Sequence, residues 1–158
     1  MKTIPLTKGY FTIVDNDDYL KLAVKRWCSV VDNRNPNKVK VRPFRREGKK
    51  GIYLSIEIMD PPKGKQVDHI NGNTLDNRKS NLRICTSAEN QHNKGKMENN
   101  TTGYKGVSFD KRDGFYYSRI KNNGKRISLG RFKNSINAAL IYDEMAVKLH
   151  GKFAKLNF

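Results

Sequence analysis

The sequence has little cysteine and no long apolar run. Cys28 and Cys85 are the only cysteines in 158 residues, and they lie far apart. Two distant thiols form neither a CxxC zinc knuckle nor a disulfide framework. No apolar stretch approaches the roughly 18–20 residues that cross a bilayer, and the first residues lack the apolar segment of a secretory signal. We therefore expect a protein that acts inside the cell, with no membrane partner.

Acidic residues are also scarce relative to basic ones. The chain has 32 Lys and Arg against 15 Asp and Glu, a formal net charge of +17. Each third of the chain carries a positive excess. A basic excess spread over the whole chain favours a long polyanion, DNA or RNA, over a merely solubilising surface, because Lys and Arg neutralise phosphates and release counterions.

The apolar share of 36% is low for one large core but sufficient for small modules. Pro and Gly in Asp60-Pro61-Pro62-Lys63-Gly64 indicate one boundary. The polar stretch around Asn99–Thr102 indicates the main one. We predict three segments: a basic N-terminal α/β region over 1–60, a middle motif with its linker over 61–100, and a C-terminal module over 101–158.

The N-terminal region reads as a strand, a helix and two more strands. Tyr10–Val14 is β-rich, and a helix is predicted from Asp15 or Asp17 to about Trp27. Strands are predicted over Lys38–Arg42 and Ile52–Met59. A basic cluster near the predicted Gly48–Gly51 turn has two open interpretations, a solvated hairpin or a phosphate contact; its members are Arg42, Arg45, Arg46, Lys49 and Lys50.

The middle segment has a strand–loop–strand–helix pattern. Gln66–Ile70 is predicted as a strand, Asn71–Ser80 as a turn-rich loop and Asn81–Thr86 as a second strand. Thr86 and Glu89 match a capping box for a helix to about Lys94. Asp68 and His69 are adjacent on a strand, so their side chains point to opposite faces.

These residue types suit phosphodiester hydrolysis. A neutral His takes a proton from water near pH 7. An Asp carboxylate and a side-chain amide oxygen are hard ligands for Mg²⁺, and a second Asn can hold the His ring and its tautomer. The Asp68-His69 pair alone is weak evidence, but the Asn-Gly turn and the capped helix that follow strengthen it.

The segment from about Tyr53 to Lys94 resembles the HNH, or His-Me finger, endonucleases, in the subgroup that ends in Asn. The resemblance rests on Asp68-His69-Ile70-Asn71-Gly72-Asn73 and Asn81-Leu82-Arg83. It implies that His69 is the general base, that Asn81 orients His69, and that Asp68 and Asn90 bind one metal ion, Mg²⁺ or Mn²⁺.

The motif is flanked by Ser55-Ile56-Glu57 on one side and ends near His92 on the other. HNH relatives often have His-Arg-Leu before the Pro-Pro turn, where this chain has Ser55-Ile56-Glu57. The change replaces a phosphate-facing pair and adds an acid, so it bears on substrate positioning. His92 follows Asn90 by two residues on a helix and should point away from it; we expect it to face solvent or phosphate.

The C-terminal module reads as three strands and a helix. The strands are predicted over Tyr104–Phe109, Phe115–Lys121 and Lys125–Phe132. A helix capped by Asn134 or Ser135 is predicted to run to about His150. Its expected buried stripe consists of Ala138, Ala139, Tyr142, Ala146 and Leu149. Strand alternation leaves one basic, open sheet face, a shape that fits the DNA major groove.

This module resembles the AP2 DNA-binding domain. The resemblance rests on Gly103-Tyr104-Lys105-Gly106-Val107, on Arg126 through Phe132, on Ala138 through Asp143, and on the ending Phe153 through Phe158. It implies DNA contacts from Lys105, Ser108, Arg119, Lys121, Arg126 and Ser128. Plant members commonly have Arg and Trp at the places of Ser108 and Ser128, so a different base preference is expected.

Together the two resemblances imply an α+β protein: a basic N-terminal region, a β-β-α nuclease motif, and an AP2-like three-stranded antiparallel sheet on one helix. This is the arrangement of phage and mobile-element homing endonucleases. The expected function is metal-dependent cleavage of double-stranded DNA by a monomer that nicks one strand, in a bacterial or phage-infected cell. The alternatives are a non-cleaving DNA-binding regulator and, on charge alone, an RNA-binding or ribosome-binding protein.

Overall fold

The computed structural model describes residues 1–33 and 39–158, and the fold is α+β, as predicted. The chain divides into two compact units, Met1–Ser87 and Ala88–Phe158, and each is described by itself. Among the described residues, no helix combines the length and apolar character that a membrane crossing needs.

The first unit begins with a β-hairpin and a short helix. Strands β1 (Lys2–Pro5) and β2 (Phe11–Val14) pair antiparallel. Helix α1 (Asn16–Ala23) follows and is shorter than predicted, ending four residues before Trp27. Trp27 is nonetheless buried, and its indole N–H donates to the carbonyl of Leu22 at 3.0 Å. The core of the unit is formed by Ile4, Leu6, Val14, Leu22, Trp27 and Leu54.

A three-stranded antiparallel sheet comes next, in the order β3 (Cys28–Asp32), β4 (Lys40–Glu47), β5 (Lys50–Tyr53). Lys38, the first residue of one predicted strand, lies outside the described residues. The predicted strand Ile52–Met59 is wrong beyond Tyr53, because Leu54–Met59 forms helix α2. Leu54 and Ile58 are one helical turn apart, and both pack against the core of the unit. Burial of this pair decides the conformation of a run that is too short to distinguish helix from strand by sequence.

Strands β6 (Gln66–His69) and β7 (Leu82–Cys85) form an antiparallel pair, with a long loop between them. Helix α3 (Ser87–His92) follows and begins at the last residue of the first unit. The predicted strand–loop–strand–helix order is therefore observed, with boundaries shifted by one or two residues.

The second unit is a three-stranded antiparallel sheet packed on one long helix. The strands β8 (Val107–Asp110), β9 (Phe115–Asn122) and β10 (Lys125–Phe132) lie in that order. Helix α4 (Ser135–His150) begins after Asn134, whose side chain accepts hydrogen bonds from the backbone N–H groups of Ile136 and Asn137. The predicted stripe of α4 packs on the sheet, with Leu149 only half-buried.

Two further contacts tie this unit together. Gly106, in the turn before β8, has a φ of +78°, and a Cβ there would lie 2.0 Å from a Tyr142 ring carbon, so only glycine allows this close approach of the turn to α4. The Asp143 carboxylate accepts hydrogen bonds from the backbone N–H groups of Asn157 and Phe158. The Asn157 side chain in turn accepts from the N–H of Lys105 at 2.7 Å, so Asp143 anchors the last residues to the first turn of the module.

Candidate functional site

Strand β6 positions Asp68 and His69, the two residues on which the nuclease prediction depends. In the β6–β7 register Asp68 lies opposite Arg83, and His69 lies opposite Leu82. Successive side chains of a strand point to opposite faces, and the contacts follow this rule: Asp68 meets its cross-strand partner Arg83, whereas His69 meets the loop that joins the two strands.

Asp68 is buried in an ion pair. Arg83 donates to Asp68 Oδ2 from Nε at 2.8 Å and from Nη2 at 2.6 Å. The Arg83 and Asp68 side chains are 12% and 8% exposed respectively. Burying a carboxylate costs far less free energy when it is paired in this way, and Arg83 supplies that partner.

The described hydrogen bond of the His69 ring goes to Asn77, not to Asn81. His69 Nε2 lies 3.1 Å from Asn77 Oδ1, and Asn77 is only 1% exposed. Burial lowers the pKa of His69 below its ordinary value; the hydrogen bond to Asn77 and the charges of Asp68 and Asp76 oppose this shift without reversing it. Burial therefore favours the neutral form of His69, the state that a general base requires.

Asn81 closes the loop between the strands. Its Oδ1 accepts from the N–H of Asn71 at 3.0 Å, and its Nδ2 donates to the carbonyl of Asp76 at 2.8 Å. The N–H of Ile70 also donates to the Asn81 carbonyl at 2.9 Å. These bonds join the beginning and the end of the loop. Asn77, which contacts His69, lies in the same loop, and the role of Asn81 as a direct partner of the His69 ring stays a prediction.

Asp76 lies at the centre of the same loop. It accepts two hydrogen bonds from the Arg78 guanidinium, at 2.7 and 2.6 Å, and one from Asn71 Nδ2. The Arg78 guanidinium holds the pKa of Asp76 below its usual range despite burial. Asp76 therefore stays charged and rigidly held near His69.

The remaining predicted ligand, Asn90, lies on helix α3 and is half-buried. It belongs to the second unit, whereas Asp68, His69 and Asn81 belong to the first. Within the second unit the ring of His92 stacks on that of His150, with centroids 3.6 Å apart and planes 13° apart. The α4 imidazole covers one side of the His92 ring, and His92 is half-buried, so the expectation that it faces solvent or phosphate stays a prediction for the rest of the ring.

The oxygen donors fit a hard divalent ion. Mg²⁺ keeps several waters and takes one or two carboxylates with substrate phosphate, so a carboxylate and an amide oxygen are a sufficient protein contribution. Within residues 1–33 and 39–158, no group of three or more His, Cys, Asp or Glu side chains is placed to hold a metal.

The departure at Ser55-Ile56-Glu57 has a structural explanation. Glu57 pairs with Lys25 and with Arg45, whose Nε donates to Oε2 at 2.7 Å. Burial raises the pKa of Glu57, but the hydrogen bonds from Lys25 and Arg45 outweigh it and leave the pKa lowered. The negative charge of Glu57 is therefore balanced by Lys25 and Arg45 inside the first unit. Arg45 is only 12% exposed, so the structure favours phosphate contact from the exposed Arg46, Lys49 and Lys50 over contact from Arg45.

The second unit presents the open basic face that alternation predicts. Ser118 and Ile120 are buried toward α4, and Arg119 and Lys121 are exposed on the opposite side of β9. In the β9–β10 register, Arg126 pairs with Lys121 and Ser128 with Arg119. Ser108 pairs with Tyr117 on the same face. Five of the six predicted DNA contacts thus share one face: Ser108, Arg119, Lys121, Arg126 and Ser128.

A β-bulge adds a residue to this face that the sequence did not reveal. The register shifts between Ser128 and Gly130, so that Arg131 lies opposite Tyr117. Its guanidinium sits over the Phe115 ring, 4.8 Å from the centroid. Strict alternation would place the Arg131 side chain on the inward face, but the one extra residue in the strand moves it to the open face. In the sequence, only the glycine at 130 inside the strand pattern indicates a bulge; in the structure its φ is +124°.

Lys105 is placed differently from the other predicted contacts. It is half-buried, its Nζ donates to the carbonyl of His92 at 2.5 Å, and it lies 5.9 Å from the centroid of Tyr142 on α4. Burial lowers the pKa of Lys105 to about 8, aided by Lys155. Its neighbours lie on the helix side of the module, so a DNA contact from Lys105 remains a prediction that this conformation does not favour.

Comparisons with known proteins agree with this geometry. The HNH endonuclease family model matches residues 60–92, which hold β6, the loop, β7 and α3. This segment of the chain therefore belongs to the HNH endonuclease family. It is 32% identical over 94 residues to Protein 3.8 of Escherichia phage T7, covering 60% of this chain and 77% of that protein.

Two other relatives cover different parts. The chain is 36% identical over 106 residues to an uncharacterized HNH endonuclease, L560, of Acanthamoeba polyphaga mimivirus, covering 67% of this chain but 54% of that protein. It is 44% identical over 55 residues to the AP2-like ethylene-responsive transcription factor TOE2 of Arabidopsis thaliana, covering 35% of this chain and 11% of that protein. The C-terminal module is accordingly AP2-like.

Proposed function

We propose that the protein is a metal-dependent endonuclease of the homing type that cuts one phosphodiester bond in double-stranded DNA. The observation that carries this proposal is the environment of His69. The ring is half-buried, its Nε2 is engaged by the buried Asn77, and burial favours its neutral form. The adjacent Asp68 is held as a charged carboxylate by Arg83.

His69 would act as the general base, taking a proton from the water that attacks the phosphorus. Asp68 and Asn90 would hold one Mg²⁺ or Mn²⁺; the choice of Asn90 rests on its place in the HNH segment. When bound, such an ion stabilises the charge that develops on the phosphate and the leaving oxygen. Asn81 would keep the loop closed so that His69 and Asp68 retain their positions.

The AP2-like sheet would hold the duplex. Its exposed face carries Arg119, Lys121, Arg126 and Arg131 without an acidic residue directly opposite any of them in the strand register. A two-stranded ribbon of this kind enters the major groove, where Arg reads guanine through O6 and N7. Phage and mimivirus relatives support action inside an infected cell.

The cheapest test is relaxation of supercoiled plasmid DNA by the purified protein with Mg²⁺, with EDTA, and with neither. We expect relaxation only with the metal, and a loss of about 10²–10⁴-fold in rate for His69→Ala. DNA affinity measured by fluorescence anisotropy should be nearly unchanged in this variant. EDTA should leave the melting temperature unaltered.

A wild-type protein that binds duplex DNA but never relaxes the plasmid would establish a non-cleaving DNA-binding protein instead. Full activity of the His69→Ala variant would reject His69 as the base. Preferential binding of single-stranded or structured RNA over duplex DNA in the same anisotropy assay would point to an RNA partner.

A further inference from the structure

We propose that Asn77, rather than Asn81, sets the tautomer of His69 and that Thr12 of the N-terminal hairpin holds Asn77 in position. The proposal rests on the proposed nuclease function. It assigns the proton-accepting atom of the base, which is Nδ1. The assignment follows from the directions of four hydrogen bonds.

The orientation of the Asn77 amide is fixed by its two donor bonds. Nδ2 donates to the carbonyl of Thr74 at 3.1 Å and to Thr12 Oγ1 at 2.9 Å. A carbonyl oxygen only accepts, so the NH₂ end must face Thr74 and the oxygen end must face His69. Thr12 Oγ1 in turn donates to the carbonyl of Leu75 at 2.9 Å, which leaves its lone pairs for Asn77.

The tautomer of His69 follows from this orientation. Asn77 Oδ1 is an acceptor without a proton, so His69 Nε2, 3.1 Å away, must be the donor. The neutral ring therefore carries its proton on Nε2, and Nδ1 carries the lone pair. After Nδ1 takes a proton from water, the same bond to Asn77 stabilises the imidazolium.

The N-terminal hairpin makes this chain of bonds rigid. Thr12 is 0% and Asn77 is 1% exposed, so water does not compete for these groups. The backbone repeats the connection: the N–H of Ile13 donates to the Leu75 carbonyl, and the N–H of Asn77 donates to the Ile13 carbonyl, both at 2.8 Å. Strand β2 thus holds the loop between β6 and β7 in place, although it lies more than sixty residues earlier in the chain.

The test is long-range ¹H–¹⁵N correlation NMR of the full-length protein at pH 8, where the histidine rings are neutral. A His69→Gln variant assigns the His69 signals among three histidines. We expect the wild-type ring to be protonated on Nε2, and the Asn77→Ala variant to show averaged shifts from both tautomers. A wild-type ring protonated on Nδ1 would overturn the proposal, whether or not the protein cleaves DNA.

Activity provides the second measurement. In Asn77→Ala and Thr12→Val we expect kcat to fall by about 10- to 100-fold, as for other residues that orient a functional histidine, with KM unchanged. Thr12→Ser keeps the hydroxyl and should restore the wild-type tautomer and rate. Ser29→Ala is the matched control, because it also removes a buried hydroxyl, which donates to the Thr7 carbonyl at 2.8 Å, without contact to His69.

The outcomes separate the possible failures. If Ser29→Ala lowers kcat as much as Thr12→Val at equal melting temperature, general destabilisation explains the effect and the positioning role is rejected. If Asn77→Ala loses the tautomer but keeps its rate, Asn77 does set the tautomer, but the assignment of Nδ1 as the atom that takes the proton in the reaction is overturned. If the wild type shows the Nε2 tautomer but cuts no DNA, the nuclease function fails and the tautomer assignment stands.

Discussion

At the scale of single residues, the site depends on buried charges that have fixed partners. Asp68 and Arg83 lie opposite each other on β6 and β7, and both are almost fully covered. Removing one partner of such a pair leaves the other charge buried and uncompensated, which is far more costly than losing an exposed pair.

We expect Arg83→Met to lower the free energy of unfolding by about 3–5 kcal/mol. Arg112→Met is the control: Arg112 pairs with Asp110 but is 91% exposed, and such surface pairs contribute about 0–1 kcal/mol. Urea denaturation followed by Trp27 fluorescence measures the first variant, and circular dichroism measures both. Equal changes in the free energy of unfolding for the two substitutions would show that burial does not raise the cost of breaking the Asp68–Arg83 pair.

At the scale of elements, the bulge in β10 decides the composition of the open basic face of the sheet. Leu129 is the extra residue, and it packs with Ile120, Tyr142 and Ala146 under the sheet. The strand then resumes with Arg131 on the open face. The bulge therefore lets the Leu129 side chain pack in the core and at the same time places the Arg131 guanidinium on the basic face.

Gly130→Ala should test this dependence. Alanine is strained at a φ of +124°, and its Cβ would lie 3.3 Å from two ring carbons of Phe132, so we expect a cost of about 1–3 kcal/mol. We also expect the bulge to shift and DNA affinity to fall as it does in Arg131→Ala. Gly114→Ala is the control, with a φ of +71° but no atom within 4 Å of the added carbon.

The DNA affinities are measured by electrophoretic mobility shifts at a temperature where the glycine and arginine variants are all folded. If Arg131 contacts only phosphate, Arg131→Ala weakens binding to every sequence alike and lowers the salt slope by about one. For Arg126→Ala, a contact to guanine predicts a loss of about 1–3 kcal/mol at one base position. Unchanged affinity in both arginine variants would reject the sheet as the DNA-binding face.

The stacked pair on α3 and α4 predicts how the stability of the second unit depends on pH. Burial lowers the pKa of His92 and of His150, and the nearby Lys105 lowers both further. As pH falls below about 6.5, the unfolded chain takes up these protons first. The stabilisation is therefore complete above pH 6.5 and is lost as pH falls toward the lower folded pKa values.

We expect a lower melting temperature at pH 5.5 than at pH 7.5, and a smaller difference in His150→Gln. The glutamine side chain of this variant would keep a donor for the Lys121 carbonyl, which His150 Nε2 contacts at 3.1 Å. His69→Gln, in the first unit, is the control, because it removes a histidine but leaves the His92–His150 pair intact. A His150→Gln variant with the full wild-type pH dependence would show that the stacked pair does not control it.

At the scale of the whole molecule, the prediction concerns the strands that are cut. In the proposed mechanism, one active site hydrolyses one phosphodiester at a time. The apolar stripe of α4 is already covered by its own sheet, so it offers no face for a dimer. We expect a monomer that nicks one strand.

Denaturing gels with each strand end-labelled separately, combined with sedimentation of the DNA complex, measure this outcome. Cleavage of one labelled strand by a monomer would agree with the prediction. Two cuts at similar rates, from a protein that sediments as a dimer on DNA, would contradict it and imply two active sites across the duplex.

The sequence by itself determined the local features of this protein. The Asn134 cap, the stripe of α4, the Asn-Gly turn at Asn71-Gly72 and the alternation in β9 all act between residues that are near in the chain, and local propensity and periodicity report such interactions. The HNH and AP2-like resemblances rest on equally local motifs, which is why the fold class and the family were accessible before the structure.

Only the tertiary structure decided the rest. Leu54–Met59 is a helix because Leu54 and Ile58 pack into a core whose other buried members come from the first thirty residues. Arg131 reaches the open face because Leu129 is drawn into a core with α4. Asn77 faces His69 because Thr12, far earlier in the chain, holds its amide. Each of these depends on contacts between distant residues, whose energies exceed local preferences and leave no periodic signal in the sequence.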